Sequence, residues 1–172
     1  MITLGIDPGT SLDESHCATL KDNEIVYTLP WDQVWMQQSI GMATWDAVVI
    51  EWIDTSAGIY MRHGKPAPRS RAGKVLDTHS VGTTIRDMFY NAGVAVYCVP
   101  RWVLCKQAGA AHNDAGVTAL LKQRGYLDGH VTKDGRFRVT TPGLTTTHNR
   151  DALVAALFNH GHPDNQQWRY QP

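Results

Sequence analysis

The chain has 172 residues, 42% hydrophobic and 19% charged, and its sixteen basic and sixteen acidic side chains cancel to a formal net charge of zero. That length suits one domain with a sizeable core and is short for two, while the balanced charge excludes recognition of nucleic acid by bulk charge and moves attention to local clusters. Cys17, Cys98 and Cys105 are odd in number and lack a CxxC pair, the pattern of buried reduced thiols; with no apolar span of membrane length and no leader-like start, a cytoplasmic protein with no membrane partner is expected.

The opening stretch Met1–Thr10, MITLGIDPGT, alternates Ile2, Leu4 and Ile6 with Thr3 and Gly5, then stops at Pro8-Gly9. It reads as a short strand that delivers the Asp7 carboxylate to its own C-terminal end, where a sheet fixes position and a loop leaves access. Cys17–Leu20 and Ile25–Leu29 flank Lys21-Asp22-Asn23-Glu24 as an antiparallel hairpin, ended by Pro30. Trp31–Ala43 has the spacing of a helix, with Pro30 and Asp32 at its start and Gly41 near its end.

Ala47–Trp52, AVVIEW, is an unbroken apolar run apart from Glu51 and reads as a strand buried on both faces. A carboxylate in such a run needs a partner, a bound metal or the strand's open end. Ser56–Lys74 is rich in Gly, Pro and Ser, and from Arg62 to Lys74 it carries Arg62, Lys65, Arg69, Arg71 and Lys74 with no acid. It reads as a loop able to contact phosphates; Arg101 and Lys122 are further candidate DNA contacts. Thr78–Ala92 is spaced as a helix closed by Gly93, and Val94–Val99 as a strand closed by Pro100.

Trp102–Lys106 suits one helical turn and Asp114–Arg124 a longer helix stopped by Gly125. His130–Thr132 and Arg136–Thr140 flank Lys133-Asp134-Gly135 as a small hairpin inside a second basic region. Asn149–His160 is a helix that Thr147 or Asn149 can cap; His148 and Asp151, three apart, share a face, Asp151 is expected in the first turn, and Ala152, Ala155 and Ala156 allow close packing on a sheet. The tail, residues 161–172, is expected to be loosely held beside a domain spanning 1–160.

Alternating strands and helices require an α/β domain. If the Asp7 and Glu51 strands are parallel neighbours, their carboxylates emerge at one sheet edge, where the last helix can add His148 and Asp151. Carboxylates so placed repel when ionised, and a hard divalent cation relieves that repulsion: Mg²⁺, or Mn²⁺ if the imidazole joins.

GIDPGT with Asp7, VVIEW with Glu51, VPRWVLCK with Lys106 and HNRDALVAAL with His148 and Asp151 together resemble the RuvC-type Holliday junction resolvases of the ribonuclease H-like superfamily. The resemblance runs from Met1 to about His160. It implies a mixed five-stranded sheet in the order 3-2-1-4-5 flanked by helices, a homodimer, and cleavage of branched or four-way-junction DNA with two Mg²⁺ or Mn²⁺ ions per active site. It further implies that Asp7, Glu51 and Asp151 are catalytic acids that ligate metal, that His148 is the fourth ligand, and that Lys106 lies near the scissile phosphate. The chain departs from the family pattern at the polar segment Leu12–Ala18, at Ile53 where an aromatic is usual, in Gly109–Val117, which lacks a lysine, and in the longer connection 125–147. Sugar kinases and actin-like ATPases share a GIDxGT-like loop but need two lobes. A broader nuclease acting on flaps, forks or RNA, and a non-catalytic DNA-binding module, are the alternatives; the latter leaves three acids without a purpose.

Overall fold

Period-two alternation decides which side chains of this protein reach which face of its sheet. The computed structural model describes residues 1–22, 24–39, 41, 45–53, 55, 61–62, 65–66 and 69–172, with the side chains of 25–27, 39, 61–62, 65–66 and 69–72 outside that description. Strands β1 (Ile2–Asp7), β2 (His16–Lys21), β3 (Glu24–Pro30), β4 (Ala47–Trp52) and β5 (Ala95–Pro100) form a five-stranded sheet in the order β3-β2-β1-β4-β5. The first three are antiparallel neighbours, whereas β1–β4 and β4–β5 are parallel, so the expected mixed sheet is present.

Two cores sandwich the sheet. On one face Leu4, Ile6, Val48 and Ile50 pack with Trp31 and Val34 of α1 (Trp31–Ser39) and Ile85 and Phe89 of α2 (Arg69–Asn91). On the other, Ala47, Val49, Tyr97 and Val99 pack against α3 (Arg101–Ala108), α4 (Asp114–Gln123) and α5 (Thr147–Ala156). The even residues of β1 and β4 therefore face α2, and the odd ones face α5.

Helix α5 lies unusually close to β1. A Cβ on Gly5 would fall 2.0 Å from the Ala152 carbonyl oxygen and 2.3 Å from the Ala156 amide nitrogen, so the small residues of the helix meet a strand position that tolerates no side chain. The helix is shorter than expected, ending at Ala156 rather than His160, and its N-cap is Thr146, whose hydroxyl accepts from the Asn149 amide at 3.2 Å, rather than Thr147 or Asn149. Starting there, α5 places Asp151 beyond its first turn, which holds no acid. The buried Arg150 donates to the carbonyls of Leu144 and Thr145 and anchors the entry to the helix.

Other boundaries also move. Helix α2 begins at Arg69 rather than Thr78, because Arg, Ala and Lys are strong helix formers even without an apolar stripe to announce them. Within the span read as a loop, Met61–Arg62 and Lys65–Pro66 pair antiparallel, while residues 56–60, 63–64 and 67–68 lie outside the described residues. Helix α1 is described over Trp31–Ser39, with a Gly41 amide to Gln38 carbonyl bond at 3.1 Å beyond it, while the expected end at Ala43 lies outside the described residues. Residues 125–147 carry the expected hairpin, β6 (Gly129–Val131) and β7 (Phe137–Val139), turned at Gly135 with φ 80°. The tail is docked rather than loose: Arg169 bridges to Tyr97, the Tyr170 amide donates to the Val96 carbonyl at 2.8 Å, and Arg86 lies 4.1 Å from the centre of the Tyr170 ring. Cys17, Cys98 and Cys105 are all free thiols. Among the described residues no helix is long and apolar enough to cross a membrane.

Because Gly5 leaves no room for a methyl group, Gly5→Ala should destabilise the protein by about 1–3 kcal/mol or more in urea unfolding. Gly161→Ala, whose Cβ would meet only Asn159 Oδ1 at 3.6 Å, should stay within about 0.5 kcal/mol of the parent.

Candidate active site

The same odd-numbered parity that aims Thr3 and Gly5 at α5 continues to Asp7, and in β4 it runs from Ala47 and Val49 to Glu51. Parallel pairing of β1 with β4 puts both carboxylates at the same C-terminal sheet edge. Asp7 also stands opposite His16 in the antiparallel register with β2. Helix α5 then descends over this edge and supplies His148 and Asp151, and β5 runs through Tyr97 and Val99 into Arg101 at the start of α3.

The contacts form two connected groups. His148 Nδ1 lies 2.8 Å from Asp7 Oδ2, and its ring stacks on His16 with centroids 5.2 Å apart. Arg101 Nη1 donates to Asp151 Oδ2 at 2.6 Å and lies 3.7 Å from Glu51 Oε1, while Nη2 donates to Asp114 Oδ1 at 2.9 Å. The acids are deep and the outer partners are not: the side chains of Asp151, Asp7 and Glu51 are 5%, 12% and 13% exposed, against 64% for both His148 and Asp114.

Charge is crowded here beyond what one guanidinium balances. Burial, then the charges of Asp7 and Asp151, push the Glu51 carboxyl up to about 8 against the pull of Arg101 and His148. Burial likewise raises Asp151 to about 6, although Arg101 works to lower it. For Arg101 itself burial opposes the charge, but Glu51 and Asp151 outweigh it and hold the group above its ordinary value. The hydrogen bond to Asp7 raises His148, whereas burial and then the neighbouring His148 lower His16.

The donor set suits a hard divalent cation: three carboxylates and an imidazole converge, with negative charge left incompletely compensated. Among the described residues, however, no three His, Cys, Asp or Glu side chains are gathered closely enough to hold a metal ion. The guanidinium of Arg101 stands between two of them instead.

No family model matches the sequence, and no curated protein matches it. Among solved structures, Thermus thermophilus RuvC in complex with a Holliday junction substrate aligns with a TM-score of 0.51 at 19% identity, covering 91% of this chain and 90% of that one. A second structure of Thermus thermophilus RuvC gives a TM-score of 0.48 at 16% identity over 98% of both chains. The fold is ribonuclease H-like. The sheet order and this first likeness agree on it.

The other residues singled out from the sequence lie elsewhere. Lys106 is exposed in the last turn of α3, roughly 140° around that helix from Arg101, and joins none of the ion pairs among the described residues. Lys74 is exposed on α2, and Lys122 is exposed at the end of α4, its Nζ 4.3 Å from the centre of the Phe137 ring. The side chains of Arg62, Lys65, Arg69 and Arg71 are outside the described residues. His16 gives no signal in the sequence, where the apolar run of its strand begins at Cys17, whereas the place of Arg101 among the acids is signalled by the 97-99-101 alternation.

Glu51 binds its proton more tightly folded than unfolded, so between its ordinary 4.5 and about 8 the native state holds more protons and stability falls as pH rises. The raised His148 acts in the same direction, its contribution being lost as pH rises through the folded value. His16 and His160, both lowered chiefly by burial, act oppositely only below about their ordinary 6.5. In EDTA, raising the pH from about 6.5 to about 8.5 should therefore remove about 2 kcal/mol and lower Tm by about 5 °C, and Glu51→Gln should flatten most of that slope in a thermal melt.

Proposed function

We propose that this protein is a divalent-metal-dependent endonuclease that cleaves branched DNA, with the four-way junction as its main substrate. The observation that carries the proposal is the convergence of Asp7, Glu51, His148 and Asp151 at one edge of a ribonuclease H-like sheet. The substrate class follows the resemblance of these motifs to the RuvC-type resolvases and the Holliday junction in the structure of the similar Thermus thermophilus protein.

In this reading Asp7, Glu51, Asp151 and His148 hold Mg²⁺ or Mn²⁺, which when bound polarises the phosphate and lowers the pKa of water. The protein's own parts are positional. Asp7 is fixed by the sheet; in the metal-free protein His148 Nδ1 pairs with it and favours the protonated imidazole, a proton that His148 must give up to ligate a metal, while His16 stacks on that ring from β2. Hydrolysis at the site breaks the P–O3′ bond and leaves 5′-phosphate and 3′-hydroxyl ends. Lys106, exposed five residues beyond Arg101, is assigned to the backbone of the bound DNA rather than to the acids.

A chain of zero net charge can still bind a polyanion through a local surface. The hairpin that precedes α5 supplies one: Lys133, Arg136 and Arg138 surround the turn at Gly135, and the strand bearing Arg138 leads toward the cap of the helix that carries His148. Contacts of this kind go to phosphates and give affinity without sequence preference. A homodimer, as the resemblance implies, would set two such sites on one junction.

Labelled four-way junction, flap, linear duplex and RNA, each incubated with Mg²⁺, Mn²⁺ or EDTA, test the proposal. Metal-dependent, paired and symmetric nicks in the junction are expected, and Asp7→Asn should fold and remove cleavage. Preference for flaps would move the function to a broader structure-selective nuclease, and no metal-dependent cleavage of any substrate would end the nuclease reading. Replacing Lys133, Arg136 and Arg138 together by Gln should weaken junction binding and make the slope of log K against log salt shallower by up to about 2–3.

A further inference from the structure

Arg101 is tied to the acidic edge more firmly than a phosphate-seeking side chain needs to be. It follows Pro100, the last residue of β5, and is the first residue of α3, so its backbone is held by sheet and helix at once. From there its two terminal nitrogens divide their work. Nη1 serves the inner pair, Asp151 at 2.6 Å and Glu51 at 3.7 Å, and Nη2 serves the outer Asp114 at 2.9 Å, itself the first residue of α4. One guanidinium thus spans the deep acids and an exposed one.

The guanidinium already occupies the face of Asp151 and Glu51 that a divalent ion would approach, so the two cations compete for these carboxylates. A divalent ion taking Asp151 and Glu51 would meet the guanidinium at close range, with like-charge repulsion and loss of the hydrogen-bonding lone pairs driving them apart. Arg101 has somewhere to go, because Asp114 is 64% exposed and already holds the other half of its fork. This explains why the acids converge and yet do not gather three at metal-holding distance among the described residues.

We propose that Arg101 is a tethered counter-cation that holds Glu51 and Asp151 in the metal-free protein and is displaced toward Asp114 when a divalent ion binds. The proposal rests on the metal-dependent reading of the site. It assigns to Arg101 the task of keeping buried acids paired until the cofactor arrives, at the expense of metal affinity.

The test is a Mn²⁺ titration of DNA-free wild type and Arg101→Gln followed by electron paramagnetic resonance, with melts in EDTA. Arg101→Gln should bind Mn²⁺ tighter by about tenfold, the scale expected when a close competing charge pair is removed, and should melt lower than wild type in EDTA. In the wild type itself, the Arg101 Nε–Hε resonance should shift on saturation with diamagnetic Mg²⁺, a readout that does not depend on the variant folding. Equal or weaker Mn²⁺ binding by Arg101→Gln, or an unmoved Arg101 resonance at Mg²⁺ saturation, overturns this proposal alone. Absence of Mn²⁺ binding by both proteins overturns it together with the metal-dependent reading.

Discussion

Contact between the backbone of α5 and the bare Cα of Gly5 sets the geometry of everything at the acidic edge. With Ala152 and Ala156 seated where a strand side chain would otherwise stand, the helix axis is pinned over β1, and its N-terminal residues overhang the strand's C-terminal end. His148 reaches Asp7 and Asp151 reaches Arg101 only because that approach is so close. The alternation of β1 and β4 does the rest, since Gly5 and Asp7 share a face, as do Val49 and Glu51. A packing constraint in the core is therefore also a positioning device for the chemistry.

The electrostatics of the edge run against stability. Burying Asp7, Glu51 and Asp151 together leaves repulsion that one guanidinium and one imidazole only partly offset, and the protein absorbs it by holding Glu51 as a weaker acid. Clustered, strongly perturbed acids of this kind are characteristic of functional sites. Away from this edge the charges are conventional: Arg86 rests on Tyr170 and pairs with Asp87, and the Arg136–Asp134 pair of the hairpin is open to solvent.

Much of this arrangement was legible in the sequence. The strand ITLGID ending at Asp7, the buried run AVVIEW with its single acid, and the small-residue helix after His148 each carry a local physical signature of an α/β domain, while the strand order came from the family resemblance of these motifs and matches the sheet. Legibility failed where the deciding contact is non-local or the signature is composition alone. Arg69 to Gly73 looked like a loop because its Gly, Ser and basic residues lack an apolar stripe, yet the helix extends through it. The cap of α5 fell to Thr146 among three consecutive threonines that sequence cannot rank. The polar composition of the tail conceals Arg169 bridging to Tyr97 and Tyr170 lying against Arg86. Arg101 reads in the sequence as a DNA contact, and only the fold brings Glu51, Asp114 and Asp151 within its reach.

A crystal of the protein soaked in Mn²⁺, with anomalous difference maps recorded at the manganese edge, tests the central claim that these residues form a cation site. The account predicts a peak at about 2.0–2.3 Å from carboxylate oxygens of Asp7 together with Glu51 or Asp151. Manganese bound only at outlying surface acids, with the acidic edge empty and still closed around Arg101, would contradict it.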